Sequence, residues 1–204
     1  MKRATILMGL ALACAVAMAQ PTIDGRNIPS EFGTALASQT NYTGFGDHTG
    51  GVTWGSELDQ LFARCEGGVL YIGVTGNLEG NGNAFHFYID TGRNPNNTFT
   101  LTTGCINCSV QGMSGVVFDH QPDWVLGVNR YNDGQGNDNI YVDLHDLVSN
   151  VSTYLGSAPT GTGDGTLTGG DNTAGVRAAL DNSNEGGITS GPNNLGDPST
   201  VTTG

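Results

Sequence analysis

In the middle of the chain, apolar and polar side chains alternate with period two over several short segments, which is the signature of half-buried strands. Leu58–Cys65 and Val69–Gly76 flank Glu66-Gly67-Gly68, so they are predicted to form a hairpin whose turn uses the positive φ that glycine tolerates. Leu70, Ile72 and Val74 share one face of the second of these strands. Ala84–Thr91 alternates most cleanly, with Phe85, Phe87 and Ile89 on one side and His86, Tyr88 and Asp90 on the other. Val116–Asp119, Asp123–Tyr131 and Asn139–Val148 continue the pattern, and Val151–Ser157 is a further candidate. The segment Asn132-Asp133-Gly134-Gln135-Gly136-Asn137-Asp138 is made of turn formers and joins two of these strands. Short strands at this spacing predict an all-β fold, an antiparallel β-sandwich of jelly-roll or immunoglobulin-like type. Beyond Gly156 only Asn172–Leu180 has a helical pattern, with Asn172 as cap and Val176, Ala179 and Leu180 as its apolar stripe. One short helix near the C-terminus is therefore predicted.

The N-terminus breaks the alternation. Lys2 and Arg3 precede the apolar run Ile6–Met18, which closes on Ala17-Met18-Ala19. That run is shorter than the ~20 residues of a spanning helix, and its small-x-small end fits a signal-peptidase site. Residues 1–19 are read as a signal peptide and 20–204 as a single domain, exported to the extracellular space or cell surface, with no transmembrane span in the mature chain. Cys14 follows Ala11-Leu12-Ala13, a poor lipobox. The glycine-rich stretch after Gly156 is long for a compact domain, and Ser199–Gly204 resembles the approach to another strand, so the domain is expected to continue past the last residue.

Composition narrows the function. Of the 204 residues only 13% are charged, with nineteen acidic side chains against seven basic ones and a formal net charge of −12. Lys2 is the sole lysine, so Schiff-base chemistry has no residue to use after leader removal. A nucleic-acid partner would need cationic side chains that this chain lacks. Export permits disulfides, and three cysteines remain: Cys65, Cys105 and Cys108. A local Cys105–Cys108 bridge with Cys65 buried and free is the favoured reading; a bridge to Cys65 and three free thiols stay open.

The order of short motifs carries a resemblance. Ile23-Asp24-Gly25, Ser30-Glu31-Phe32-Gly33 and Thr43-Gly44-Phe45-Gly46-Asp47 are followed by Gly55-Ser56-Glu57-Leu58-Asp59 and Gly67-Gly68-Val69-Leu70-Tyr71-Ile72. Thr75-Gly76-Asn77-Leu78-Glu79, Phe87-Tyr88-Ile89-Asp90-Thr91 and Asp181-Asn182-Ser183-Asn184 complete the series. Together they resemble the exported β-sandwich proteins abundant in planctomycete-type bacteria, many of which end in a PEP-CTERM sorting tail. More distantly the chain is similar to DOMON-like and family 9 carbohydrate-binding modules. The resemblance implies a bacterial, exported β-sandwich; no Pro-Glu-Pro tail lies within these residues, so surface sorting rests on analogy. The stretch Asn94–Gly115, with Cys105 and Cys108, is longer than the group's pattern.

Candidate chemistry is sparse. Stacking on sugar rings needs aromatic faces in exposed loops, and Trp54, Tyr42, Phe45 and Tyr131 sit in or beside such loops, Trp54 being the first candidate. Trp54 can equally fold back onto the sandwich and Tyr131 can be an edge aromatic; Trp124 is expected in the core. Calcium needs converging oxygens, which Asp133, Asn137 and Asp138 could supply, although the same residues serve tight turns. Asp181, Ser183 and Glu185 imitate a calcium loop until Pro192 takes the place of its last carboxylate. The four histidines are scattered singly, and in the strands His86 and His145 are expected to face outward or be satisfied. No nucleophile elbow, His-Glu-x-x-His or phosphate loop occurs. These observations point to a non-catalytic surface or extracellular-matrix module that partners polysaccharide or other surface proteins. A carbohydrate-binding module is the alternative and a hydrolase the third reading.

Overall fold

The computed structural model describes residues 19–39, 56–99, 113–161 and 165–181. The chain opens with a short helix, α1 (Ile28–Phe32), and a two-residue strand, β1 (Ala37–Ser38). Six longer strands follow: β2 (Glu57–Glu66), β3 (Val69–Asn77), β4 (Asn81–Ile89), β5 (Trp124–Asn132), β6 (Asp138–Asp146) and β7 (Val151–Pro159). They form two sheets, β1-β2-β3 and β4-β5-β6-β7, and every pairing between neighbours is antiparallel. The fold is all-β, as the alternation implied.

The β2–β3 hairpin turns at Gly67 and Gly68, whose φ of 59° and 80° suit the right-handed twist of the flanking strands. Register places Phe62 opposite Gly73 and Arg64 opposite Tyr71 on one face, and Leu61, Ala63 and Cys65 opposite Val74, Ile72 and Leu70 on the other. The buried face is the first. Phe62 and Thr75 are enclosed, and α1 lies against this face through Phe32, 6.3 Å from the Phe62 ring. A Cβ at Gly73 would stand 2.6 Å from Ile28, so glycine is what lets the helix approach. Leu58, Leu61 and Leu70 are exposed, and so is Cys65, which forms no disulfide among the described residues. The expectation of a buried Cys65 is thus corrected: the hairpin register sends it to the outer face.

The four-stranded sheet is enclosed on both faces. Ile140, Val142 and Ala158 are buried on one side, and Val125, Asp143 and His145 on the other. From the described parts of the long β4–β5 connection, Phe99, Met113 and Phe118 pack on Tyr88, Val125 and Leu147 at this second face. Of the predicted strand Val116–Asp119, Val117 makes an isolated bridge to Thr98. Leu78, buried, carries the chain from one sheet to the other, and the Arg130 guanidinium donates to its carbonyl at 2.8 Å while forming a two-pronged pair with Asp138.

The helix expected over Asn172–Leu180 is absent. Asn172 accepts from Val176 N–H at 3.0 Å and donates to Val176 C=O at 2.6 Å, so its side chain closes a single turn. Gly175 has φ of 66°, which interrupts a right-handed helix. The backbone bonds elsewhere: Ala178 N–H to Gly165 and Gly161 N–H to Leu180. Asp181 then ties this segment to the N-terminus through Arg26 at 2.7 Å.

Candidate functional site

At the C-terminal end of β4 the outward alternation noted in the sequence leads into a cleft. Tyr88 and Asp90 come from the strand end; Phe118, Asp119, His120 and Pro122 come from the segment that returns to β5. Together they line an open cleft of about 320 Å³, within the size range of small-ligand sites. The Tyr88 and Phe118 rings stand 5.0 Å apart with planes tilted by 42°, and Phe99 braces both from below at 6.1 Å. Tyr88 also donates its hydroxyl to Met113 sulfur, and burial raises its pKa. Asp90, Asp119 and His120 are exposed. One Asp90 oxygen accepts Gly92 N–H at 2.8 Å.

The cleft is held in shape by Asp123. This buried carboxylate gathers the backbone N–H of Thr91 at 2.5 Å, the Thr91 hydroxyl, and the N–H of Arg93 at 3.3 Å. Burial pushes its pKa up, but these hydrogen bonds, with another from Asn94, outweigh burial and leave it below the usual carboxylate value. Asp123 N–H also donates to Ile89 and its carbonyl accepts from Leu147, so one residue clamps three chain segments. Beside it Arg93 lies 4.3 Å over the Trp124 ring and pairs with Asp146 at 2.5 Å. Trp124 is partly exposed rather than enclosed, with Arg93 covering one of its faces.

The residues singled out from sequence lie elsewhere. Tyr131 is 49% exposed at the far end of β5, roughly 20 Å from the cleft at the rise of an extended strand. Asp133 and Asn137 meet at 2.6 Å in the β5–β6 turn, where Asp133 also accepts from the N–H groups of Gln135 and Asn137. The Asn137 side chain first, and those N–H groups after it, lower the Asp133 pKa. Asp138 turns away toward Arg130. Among the described residues no three His, Cys, Asp or Glu side chains converge to hold a metal ion, and no helix is long and apolar enough to cross a membrane. Trp54, Tyr42, Phe45, Cys105, Cys108 and residues 1–18 of the leader lie outside the described residues.

A second polar feature lies on the covered face of the four-stranded sheet. Register sets His86, Gly127 and Asp143 in one row and Tyr88, Val125 and His145 in the next. Asp143 and His145 are wholly buried, and Ser152 hydroxyl meets His145 Nδ1 at 2.7 Å. Among the described residues, His86 Nε2, His145 Nε2 and both Asp143 oxygens have no hydrogen-bond partner. These strand histidines are therefore neither outward-facing nor fully satisfied. Alternation showed which residues share a face, but not that Phe99, Met113 and Phe118 would pack on it.

No protein-family model, curated protein or solved structure matches the chain.

Proposed function

We propose that the protein is an exported, non-catalytic β-sandwich module, of jelly-roll or immunoglobulin-like type, that works at the cell surface or in the extracellular matrix and binds neutral saccharide in the Tyr88–Phe118 cleft. The leader and the family resemblance support export; the cleft supports the ligand class. Two tilted aromatic rings offer apolar faces to the C–H side of a pyranose. Asp90, Asp119 and His120 surround them with acceptors and donors for sugar hydroxyls. Two carboxylates among the lining residues disfavour an anionic ligand. This moves the proposed saccharide contact from the Trp54 loop to the end of β4.

The observation that carries the reading is this meeting of half-buried aromatic rings and exposed carboxylates in one open cleft. Titration of neutral oligosaccharides should show binding that weakens about tenfold in Phe118→Ala, a loss of roughly 1.4 kcal/mol, and again in Asp119→Asn. Binding that survives both changes but disappears in Trp54→Ala would return the site to that loop. No binding across a polysaccharide panel would leave a surface module whose contacts are with proteins, as the exposed Leu58, Leu61 and Leu70 allow. Turnover of chromogenic glycosides by the purified protein would overturn the non-catalytic reading.

A further inference from the structure

Gly127 occupies the centre of the covered face of the four-stranded sheet and carries no side chain. Around it stand His86 on β4 and Asp143 on β6, about 10 Å apart by strand spacing, with His145 two residues beyond Asp143 on the same face, about 7 Å further along. We propose that His86, Asp143 and His145 form a proton-operated latch that keeps Phe99, Met113 and Phe118 seated on the sheet while the three titratable groups are uncharged and loosens them when Asp143 loses its proton. A charge buried without a partner is costly, and among the described residues both Asp143 oxygens and the Nε2 atoms of His86 and His145 find no hydrogen-bond partner.

Among the described residues the surrounding groups supply no counter-charge. From β4 the neighbours are Tyr88 and Ala84; from β5, Val125 and Asn129; from β6, Tyr141; from β7, Ser152 and Tyr154. The connection adds Phe99, Met113 and Phe118. Burial pushes Asp143 up to about 7. Burial lowers His86, and burial followed by the nearby His86 lowers His145. Phe99 and Phe118 pack in the adjoining row on Tyr88 and Val125, the row that His145 shares.

The signs are opposite for the two residue types. Asp143 is raised, so its contribution is complete below its unfolded value of about 4 and is lost as pH rises through about 7. The histidines are lowered, so theirs is present above about 6.5 and lost as pH falls. Denaturation from about pH 4 to about pH 8 should therefore show the wild-type folding constant falling relative to Asp143→Asn by as much as about a thousandfold. His145→Gln should diverge from wild type in the opposite direction, below about pH 6.5. Hydrogen exchange at Phe99 and Gly115, whose amides bond Val116 and Phe99, should quicken above neutrality in wild type alone. Should Asp143→Asn fail to fold, a carbon-13 titration of the wild-type Asp143 carboxyl decides: a midpoint near 7 supports the latch, one near 4 overturns it. Parallel pH curves for wild type and Asp143→Asn would also overturn it. So would a midpoint that Zn²⁺ raises in wild type but not in Asp143→Asn, which would make the patch a cation site.

Discussion

Apart from the two-residue β1, the two sheets are built from similar nine- and ten-residue strands, yet they bury their side chains differently. In the four-stranded sheet β5 and β6 pair over nine consecutive positions, and both faces hold fully enclosed residues such as Val125 and Ile140. In the three-stranded sheet Phe62 and Thr75 are enclosed, while Leu58, Leu61 and Leu70 remain exposed. Apolar area removed from water is the main favourable contribution to folding, so stability should concentrate in the doubly covered sheet. The cleft grows from that sheet, which gives its rings a rigid support.

The largest effect should come from Phe99→Ala, which removes the ring bracing Tyr88 and Phe118. Such truncations cost about 3–5 kcal/mol, and denaturation would measure the loss. A cost below about 1 kcal/mol would mean the β4–β5 connection is not part of the core. Arg130→Ala removes the two-pronged pair with Asp138 and the donor to the buried Leu78 carbonyl, with an expected cost of about 3 kcal/mol. Arg130→Lys should recover only part of that, because an ammonium cannot reproduce the two-pronged geometry.

Acid should find the root of the connection. Asp123 and Asp146 are both held below the usual carboxylate value by hydrogen bonds that outweigh burial: Thr91 leads for Asp123, and Ser149 followed by Arg93 for Asp146. Depressed groups contribute stability above their unfolded pKa and lose it as pH falls through the folded one. Asp123→Asn should flatten the acid limb of an unfolding curve below about pH 4; an unaltered limb would remove the proposed clamp. The smallest effect is expected on the outer face of the three-stranded sheet, where Leu70→Thr should change stability by about 0.5 kcal/mol or less. A loss above about 2 kcal/mol there would break the contrast between the sheets.

Much of this architecture was legible in the chain. The hairpin at Gly67-Gly68 and the strands on either side of 132–138 were readable because alternation and turn chemistry agree. Helix α1 was not, since five residues give no helical period to detect. Asn172–Leu180 misled because one residue can cap a helix or close a lone turn, and Gly175 decides for the turn. The cleft was half legible. Tyr88 and Asp90 shared a face in the sequence, whereas Phe118 to Pro122 reach them only through the tertiary path of the connection. Likewise His145 looked ordinary until its strand proved covered.

Hydrogen exchange resolved by residue, with and without a neutral oligosaccharide, tests the central claim most directly. The account predicts slowest exchange in β5 and β6, and added protection on ligand binding confined to Tyr88–Asp90 and Phe118–Pro122. Ligand-induced protection centred on β2 and β3, or slowest exchange in that hairpin, would contradict it.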